Sequence, residues 1–236
     1  MDRDERDEFV GKLKRWKYEG CSILVVGEAL DLLRGTSELL LGGPGNDRYR
    51  VFVRTDAEPG SVYDRLSSAS GSTPSGQTKI LDYDSVPRSA AAATVTTERE
   101  RIPEVPVSGG LDRLYDEITE TMAAFDSRSD GLSASALRLS VDTLRPVLAE
   151  YDSEEVRRWI HHVDGATKSY QGIAHYLLPK PYTSETVQRL QGQFEAVIEV
   201  QPYDDEGAKR KERWHVPDGD ITTPWRAMDG ERSGMM

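Results

Sequence analysis

The sequence predicts an α/β protein with a mostly parallel central sheet flanked by helices. Residues 137–142 and 172–178 are apolar segments typical of strands, and the charged segment between them shows helical spacing over 153–163. This order of strand, helix and strand is typical of a parallel α/β unit. Residues 21–26 form an uninterrupted apolar run, which predicts a further strand that is buried on both faces.

The N-terminal half repeats the order of a strand followed by a helix. Apolar residues recur at helical spacing on both sides of the run at 21–26, and β-branched and aromatic residues alternate near residue 50. The predicted elements are a helix over 5–18, a strand over 21–26, a helix over 29–41, a strand over 48–55, a short helix over 61–66 and a strand over 78–82.

The C-terminal half continues this order. Apolar residues at three- and four-residue steps predict a helix over 111–125. Asp152 or Ser153 is the predicted N-cap of the helix over 153–163, because a short polar side chain there accepts from the first free backbone N–H groups. The remaining predicted elements are a short helix over 183–190 and strands over 196–200 and 213–216.

These elements predict one domain over residues 19–216. An amphipathic helix over 1–18 precedes it, and a C-terminal tail over 217–236 follows it. Two segments of low-complexity sequence, rich in Ser, Gly, Ala or Thr, predict flexible loops at about 67–77 and 89–106.

The composition is acidic. Lys and Arg total 30 against 41 Asp and Glu, for a formal net charge of -11. This balance repels a phosphate backbone, so binding of nucleic acid is not expected, although the basic run at 12–17 leaves a local DNA contact open beside its interpretation as a helix face. An acidic, lysine-poor surface is typical of halophilic proteins, because carboxylates hold water at high salt.

The sequence also favours a cytoplasmic protein with no membrane segment. Cys21 is the only cysteine, which excludes an intrachain disulfide and fits a reducing compartment. The N-terminus is charged and unlike a signal peptide, and no apolar stretch approaches the length of a membrane span. The spacing of His161, His162 and His175 predicts no metal set.

Four segments resemble motifs of the RecA-like ATPases, in particular the KaiC-type branch with its archaeal and haloarchaeal members. Residues 24–28 resemble the entry to the phosphate loop, 51–58 the strand with the catalytic glutamate, 139–144 the Walker B strand and 194–199 a late strand of the family. The resemblance covers residues 19–216. It implies a three-layer RecA-like fold, the fold of P-loop NTPases, with ATP and Mg²⁺ as cofactors, Glu58 as the catalytic acid and Asp142 as the Mg²⁺ ligand.

The chain departs from this family at the phosphate loop. A working loop follows the pattern G-x-x-x-x-G-K-[ST], whose lysine neutralises phosphate charge and whose hydroxyl binds Mg²⁺. Here Gly27 is followed by Glu28, Ala29, Leu30 and Asp31, with no second glycine, no lysine and no hydroxyl at the motif positions. The sequence therefore predicts a degenerate loop and a pseudo-ATPase without catalytic residues, cofactor or metal.

Two functional hypotheses follow. The first is a non-catalytic module that binds a protein partner or another copy of itself, in regulation or signalling. The alternative is a divergent ATP-binding protein or ATPase that uses Asp142 and Glu58 with ATP and Mg²⁺. Both expect a parallel sheet in which residues 23–26 and 137–142 are neighbouring inner strands.

Overall fold

A computed structural model describes residues 1–42, 48–56, 75–84, 102–203 and 208–229. Within these ranges the strands join in a single ten-stranded sheet. The strands in chain order are β1 (Cys21–Val26), β2 (Tyr49–Arg54), β3 (Thr78–Asp84), β4 (Glu104–Ser108), β5 (Leu137–Val141), β6 (Ile173–Leu178), β7 (Ala196–Pro202), β8 (Ala208–Val216), β9 (Ile221–Thr222) and β10 (Arg226–Asp229).

The sheet is parallel except at one edge. Its order is β10-β8-β7-β1-β6-β5-β2-β3-β4, with β9 paired to β8. All strands from β7 to β4 along this path are parallel, whereas β8, β9 and β10 pair in antiparallel fashion. The predicted α/β class with a mostly parallel sheet is confirmed.

Helices cover both faces of the sheet. They are α1 (Arg3–Glu19), α2 (Leu30–Leu41), α3 (Leu111–Ser129), α4 (Arg145–Glu150), α5 (Ser153–Ser169) and α6 (Glu185–Leu190). On one face, Trp16 of α1 and Leu33 of α2 share a core with Ile23 of β1. On the other face, Ile118 of α3 and Ile160 of α5 belong to a larger core cluster. Because both faces are covered, β1 is buried at every position and reads as a continuous apolar run.

Local sequence explains where the helices begin. The Asp2 side chain accepts from the backbone N–H of Glu5, and the Glu5 side chain accepts from the backbone N–H of Asp2, which is a capping box at the start of α1. Asp152, one of the two predicted caps, accepts from the backbone N–H groups of Glu154 and Glu155 at the start of α5. Each cap satisfies backbone donors that have no partner inside the helix.

One expected pairing is wrong. β1 and β5 are not neighbours, because β6 lies between them and pairs with both strands. Tyr176 of β6 is in register with Leu24 on one side and with Val141 on the other. α4 and α5 form the crossover between the parallel strands β5 and β6, and β1 pairs with the other edge of β6.

Several elements were not predicted. The sequence predicts no element at α4, places part of β4 in a loop over 89–106 and indicates a tail over 217–236, although β9 and β10 lie there. β8 begins earlier than the predicted strand over 213–216. The predicted helix over 61–66 lies outside the described residues. The predicted loops are described only at Ser75–Gln77, which form a 3-10 turn, and from residue 102 onward.

No helix among the described residues combines the length and the apolar character that crossing a membrane requires.

A buried polar cluster joins α5 to the sheet. The Tyr176 hydroxyl donates to Asp164 Oδ1 over 2.7 Å, and Asp164 is 4% exposed. Lys168 Nζ contacts Glu195 Oε1 at 2.6 Å, and Glu195 also accepts from Ser22. Burial raises the pKa of Asp164 from 3.8 to about 7, against the opposing effects of the hydrogen bond from Tyr176 and the charge of Lys168. Near neutral pH, this carboxyl group therefore takes up a proton more readily in the folded chain than in the unfolded chain.

This raised pKa predicts a pH-dependent stability that Asp164→Asn removes. The stabilising contribution of protonated Asp164 is fully present below the unfolded pKa of 3.8 and is lost as the pH rises through about 7. The free energy of unfolding of Asp164→Asn relative to wild type should rise by about 2 kcal/mol between pH 5 and pH 8. Urea denaturation at the two pH values measures it. The exposed Asp116→Asn is the control, and a constant difference for Asp164→Asn would contradict the prediction.

Candidate functional site

Two positions singled out in the sequence, Gly27 and Asp142, lie at the carboxyl edge of the parallel sheet, where ligands of open α/β folds bind. Gly27 follows β1 and Asp142 follows β5, so both stand at the ends of inner strands. Because β6 separates these strands, the two positions are about 10 Å apart along the sheet. Glu58, the other predicted acid, lies outside the described residues.

Gly27 is required by close packing against β7. A Cβ atom at this position would lie 2.5 Å from the backbone oxygen of Val200, a distance that real Cβ atoms do not adopt. The Gly27 N–H donates to the backbone oxygen of Lys180 over 3.0 Å. The glycine that resembles the first residue of a phosphate loop therefore has a structural explanation without a phosphate.

The connection from β1 to α2 consists of Gly27, Glu28 and Ala29 alone, and α2 begins at Leu30. A phosphate loop needs a longer stretch of backbone whose N–H groups wrap the phosphates before the helix begins. Glu28 is exposed, and the side chain of Asp31 in the first turn of α2 is 93% exposed. Two carboxylates thus flank the position at which a nucleotide would bring further negative charge.

Arg34 of α2 reaches the buried acid at the end of β5. Its Nη2 lies 3.7 Å from Asp142 Oδ2, and its Nη1 lies 3.4 Å from Asp31 Oδ1. Asp142 is 1% exposed, and its backbone N–H donates to the backbone oxygen of Val53. In the motif pattern that starts at Gly27, Arg34 stands where the Ser or Thr that binds Mg²⁺ would stand.

This geometry does not fit a magnesium nucleotide. The Arg34 guanidinium supplies positive charge beside Asp142, where a working site would use the metal ion. A second cation beside Arg34 would be repelled, and no motif lysine is present to bind the β- and γ-phosphates. Gly27, Glu28, Ala29, Leu30 and Asp31 therefore form a tight turn and a helix start, with no cradle for phosphate.

A second polar cluster lies beside Gly27 and was missed in the sequence. Glu199 of β7 is in register with Val26, and its Oε2 accepts from Arg213 Nε at 2.6 Å and lies 3.0 Å from His215 Nε2. The Tyr182 ring stacks on His215 with centroids 3.7 Å apart. Burial lowers the pKa of His215 although the hydrogen bond with Glu199 opposes this shift. Periodicity identified both strands but could not show that their polar residues meet.

The polar side chains of this cluster contact one another and neighbouring residues. His215 Nδ1 lies 3.2 Å from the Thr222 hydroxyl, and Arg213 lies over the ring of Trp225. Within the described part of the chain, no group of three or more His, Cys, Asp or Glu side chains is arranged to hold a metal ion. His161 and His162 are exposed on α5, whereas the buried His175 lies 2.7 Å from the Ser37 hydroxyl of α2.

A groove of about 610 Å³ opens between α5 and α6. Leu148 and Leu190 contribute apolar surface to it. Arg157, Arg158 and Arg189 supply three guanidinium groups to its walls. Arg158 pairs with Glu154 and Arg189 with Glu185, each one helical turn away. The groove combines apolar surface with three arginines and two carboxylates, Glu154 and Glu185, in an acidic chain.

The contact between Arg34 and Asp142 predicts a strong effect of charge removal. Arg34→Met should lower the free energy of unfolding by about 3 kcal/mol, because it leaves a buried carboxylate without its guanidinium. Adding Asp142→Asn should recover about 2 kcal/mol of that loss, since the second change removes the buried negative charge that Arg34 faced. Urea denaturation of the two single variants and the double variant gives the coupling. The exposed Arg145→Met serves as control, and additive effects of the two changes would contradict the prediction.

Comparison with known proteins gives one family and no functional relative. No curated protein matches the chain. A family of unknown function, DUF7504, matches residues 20–200, which include β1, Gly27, Arg34 and Asp142. The match covers more than half of the chain, so the protein belongs to the DUF7504 family.

Proposed function

We propose that this protein is a non-catalytic, pseudo-ATPase module of the RecA-like, KaiC-type kind that acts through protein–protein interaction in regulation or signalling. The observation that carries the non-catalytic part is the buried contact of Arg34 with Asp142. It places a fixed guanidinium at the acid that a working ATPase of this kind would use to hold Mg²⁺.

The topology supports the RecA-like part of the proposal. Five inner strands run parallel in the order β7-β1-β6-β5-β2, and the connections after β1 and β5 emerge at the same edge. This is the edge at which sheets of this type present phosphate loops and acids to a nucleotide. The connection from β1 to α2, only three residues from Gly27 to Ala29, supports the non-catalytic part of the proposal, because a phosphate loop needs a longer stretch of backbone.

The alternative, a divergent ATP-binding protein or ATPase that uses Asp142 and Glu58, requires Asp142 to leave Arg34. Separating the pair would expose a carboxylate that is now 1% accessible and would move α2 on the sheet. The energetic cost of leaving a buried charge without its partner disfavours this movement.

Nucleotide binding and turnover separate the two functions. Thermal denaturation in molar KCl should give the same midpoint with and without ATP, both in the presence and in the absence of Mg²⁺, and the pure protein should not release phosphate from ATP. A ligand that binds the folded chain must raise its apparent stability. A saturable rise of the midpoint with ATP, or turnover that Asp142→Ala abolishes, would support the alternative.

The groove between α5 and α6 supports the interaction part of the proposal. A complementary surface would carry acidic residues, and this chain has one on α3, where Asp112, Asp116 and Glu120 are exposed at four-residue spacing. α3 packs beside α5 on the same face of the sheet. The α3 row of one copy is therefore proposed to dock in the groove of a second copy, in a head-to-tail contact between different surfaces.

Light scattering during size-exclusion chromatography tests this contact. At about 0.2 M KCl the wild type should elute as an oligomer, and Arg157→Glu with Arg189→Glu should convert it to a monomer by reversing the charge of the groove. Arg3→Glu with Arg6→Glu makes the same charge change on α1, at the opposite face, and should leave the oligomer intact. A monomeric wild type, or equal effects of both variants, would contradict self-association through the groove.

A further inference from the structure

Three arginines lie together at the amino edge of the sheet, opposite the edge with Gly27 and Asp142. Arg50 of β2 and Arg138 of β5 are register partners on neighbouring parallel strands, and they are 2% and 3% exposed. Such strands are about 4.8 Å apart, so the two side chains start next to each other. Arg48, which directly precedes β2, is half-buried.

Both strand arginines point towards the face that α1 and α2 cover. Val51 of β2 and Leu139 of β5 contribute to the core on the α3 side, and alternate residues of a strand point to opposite faces. Arg50 confirms this direction, since its Nε donates to the backbone oxygen of Leu41 and its Nη2 to that of Gly42, at the end of α2. The negative end of the α2 dipole and these carbonyls stabilise the charge of Arg50.

The guanidinium of Arg138 has no such partners. Its Nε and Nη1 are buried and donate to no hydrogen-bond acceptor among the described residues. The same holds for Nε of Arg48, whose Nη1 donates to the backbone oxygen of Ser135 at 2.5 Å. A buried donor without a partner costs free energy, and a buried charge costs more. Arg138 and Arg48 therefore provide buried N–H donors that are available to a ligand.

No carboxylate of the described chain balances this charge. The electrostatic interactions of Arg138 are with Arg48, Cys21 and Arg50. Burial raises the pKa of the Cys21 thiol to about 12, so this group stays neutral and is no counter-ion. Burial, together with the charge of Arg48, lowers the pKa of Arg138 to about 9, which still leaves it charged at neutral pH. In a chain of net charge -11, a cationic cluster with no acid among the described residues is an exception.

We propose that Arg48, Arg50 and Arg138 form a binding site for a small oxyanion of the phosphate class at the amino edge of the sheet. Planar guanidinium groups present paired donors that match the oxygens of such an anion. Arg138 and Arg48 supply the donors, and Arg50 adds positive charge. The anion enters past Arg48, the most exposed of the three. This site is separate from the degenerate loop, and its existence does not depend on the function proposed above.

Titration calorimetry with inorganic phosphate tests the site, with sodium chloride used to hold the ionic strength constant. The wild type should bind phosphate saturably. Arg138→Met should weaken the affinity by at least about tenfold and should leave the midpoint of thermal denaturation in chloride unchanged or higher, because it removes a buried charge without a partner. Arg48→Met, at a more exposed position, should also weaken binding and provides the test if Arg138→Met does not fold.

The control is Arg15→Met, which removes one positive charge from the exposed surface of α1 and should keep the wild-type affinity. No heat of phosphate binding by the wild type up to tens of millimolar would overturn the proposal. So would equal affinity of wild type, Arg138→Met and Arg48→Met, since the phosphate would then bind elsewhere. A loss of affinity confined to the two cluster variants would support it.

Discussion

The close approach of β1 to β7 at Gly27 is the constraint on which the arrangement of the carboxyl edge depends. With Val200 so near, only glycine fits at this position, and three residues connect β1 to α2. This early start of α2 sets the position of Arg34 over the sheet, within reach of Asp142. A packing contact between two backbones thus decides which charge meets the buried acid of β5.

Buried arginines have different partners at the two edges of the sheet. At the carboxyl edge, Arg34 faces Asp142 and Arg213 faces Glu199, so each buried acid has a guanidinium close by. At the amino edge, Arg138 is buried without a carboxylate among the described residues. The ion pairs within the chain stabilise a fixed structure at the carboxyl edge. At the amino edge, the unpartnered guanidinium of Arg138 favours binding of an external anion.

The regular elements were predictable where the signal is local. The run at 21–26 has no polar residue beyond Ser22 and is a strand buried on both faces, and Asp152 caps α5 as its side chain allows. The position of Asp142 at the end of β5 was predictable from the same kind of local signal. β9 was not predictable, because two residues carry no periodicity and the strand exists only through its pairing with β8. The RecA-like relationship and the halophilic character stay predictions.

The α/β class, the order of most elements and the absence of a phosphate-loop motif after Gly27 can be read from the amino-acid sequence, because each is encoded in neighbouring residues. The separation of β1 from β5 by β6, the contact of Arg34 with Asp142 and the position of Arg50 beside Arg138 could be found only in the folded chain. These contacts join residues far apart in the chain, and strand order and helix placement depend on how the whole sheet packs.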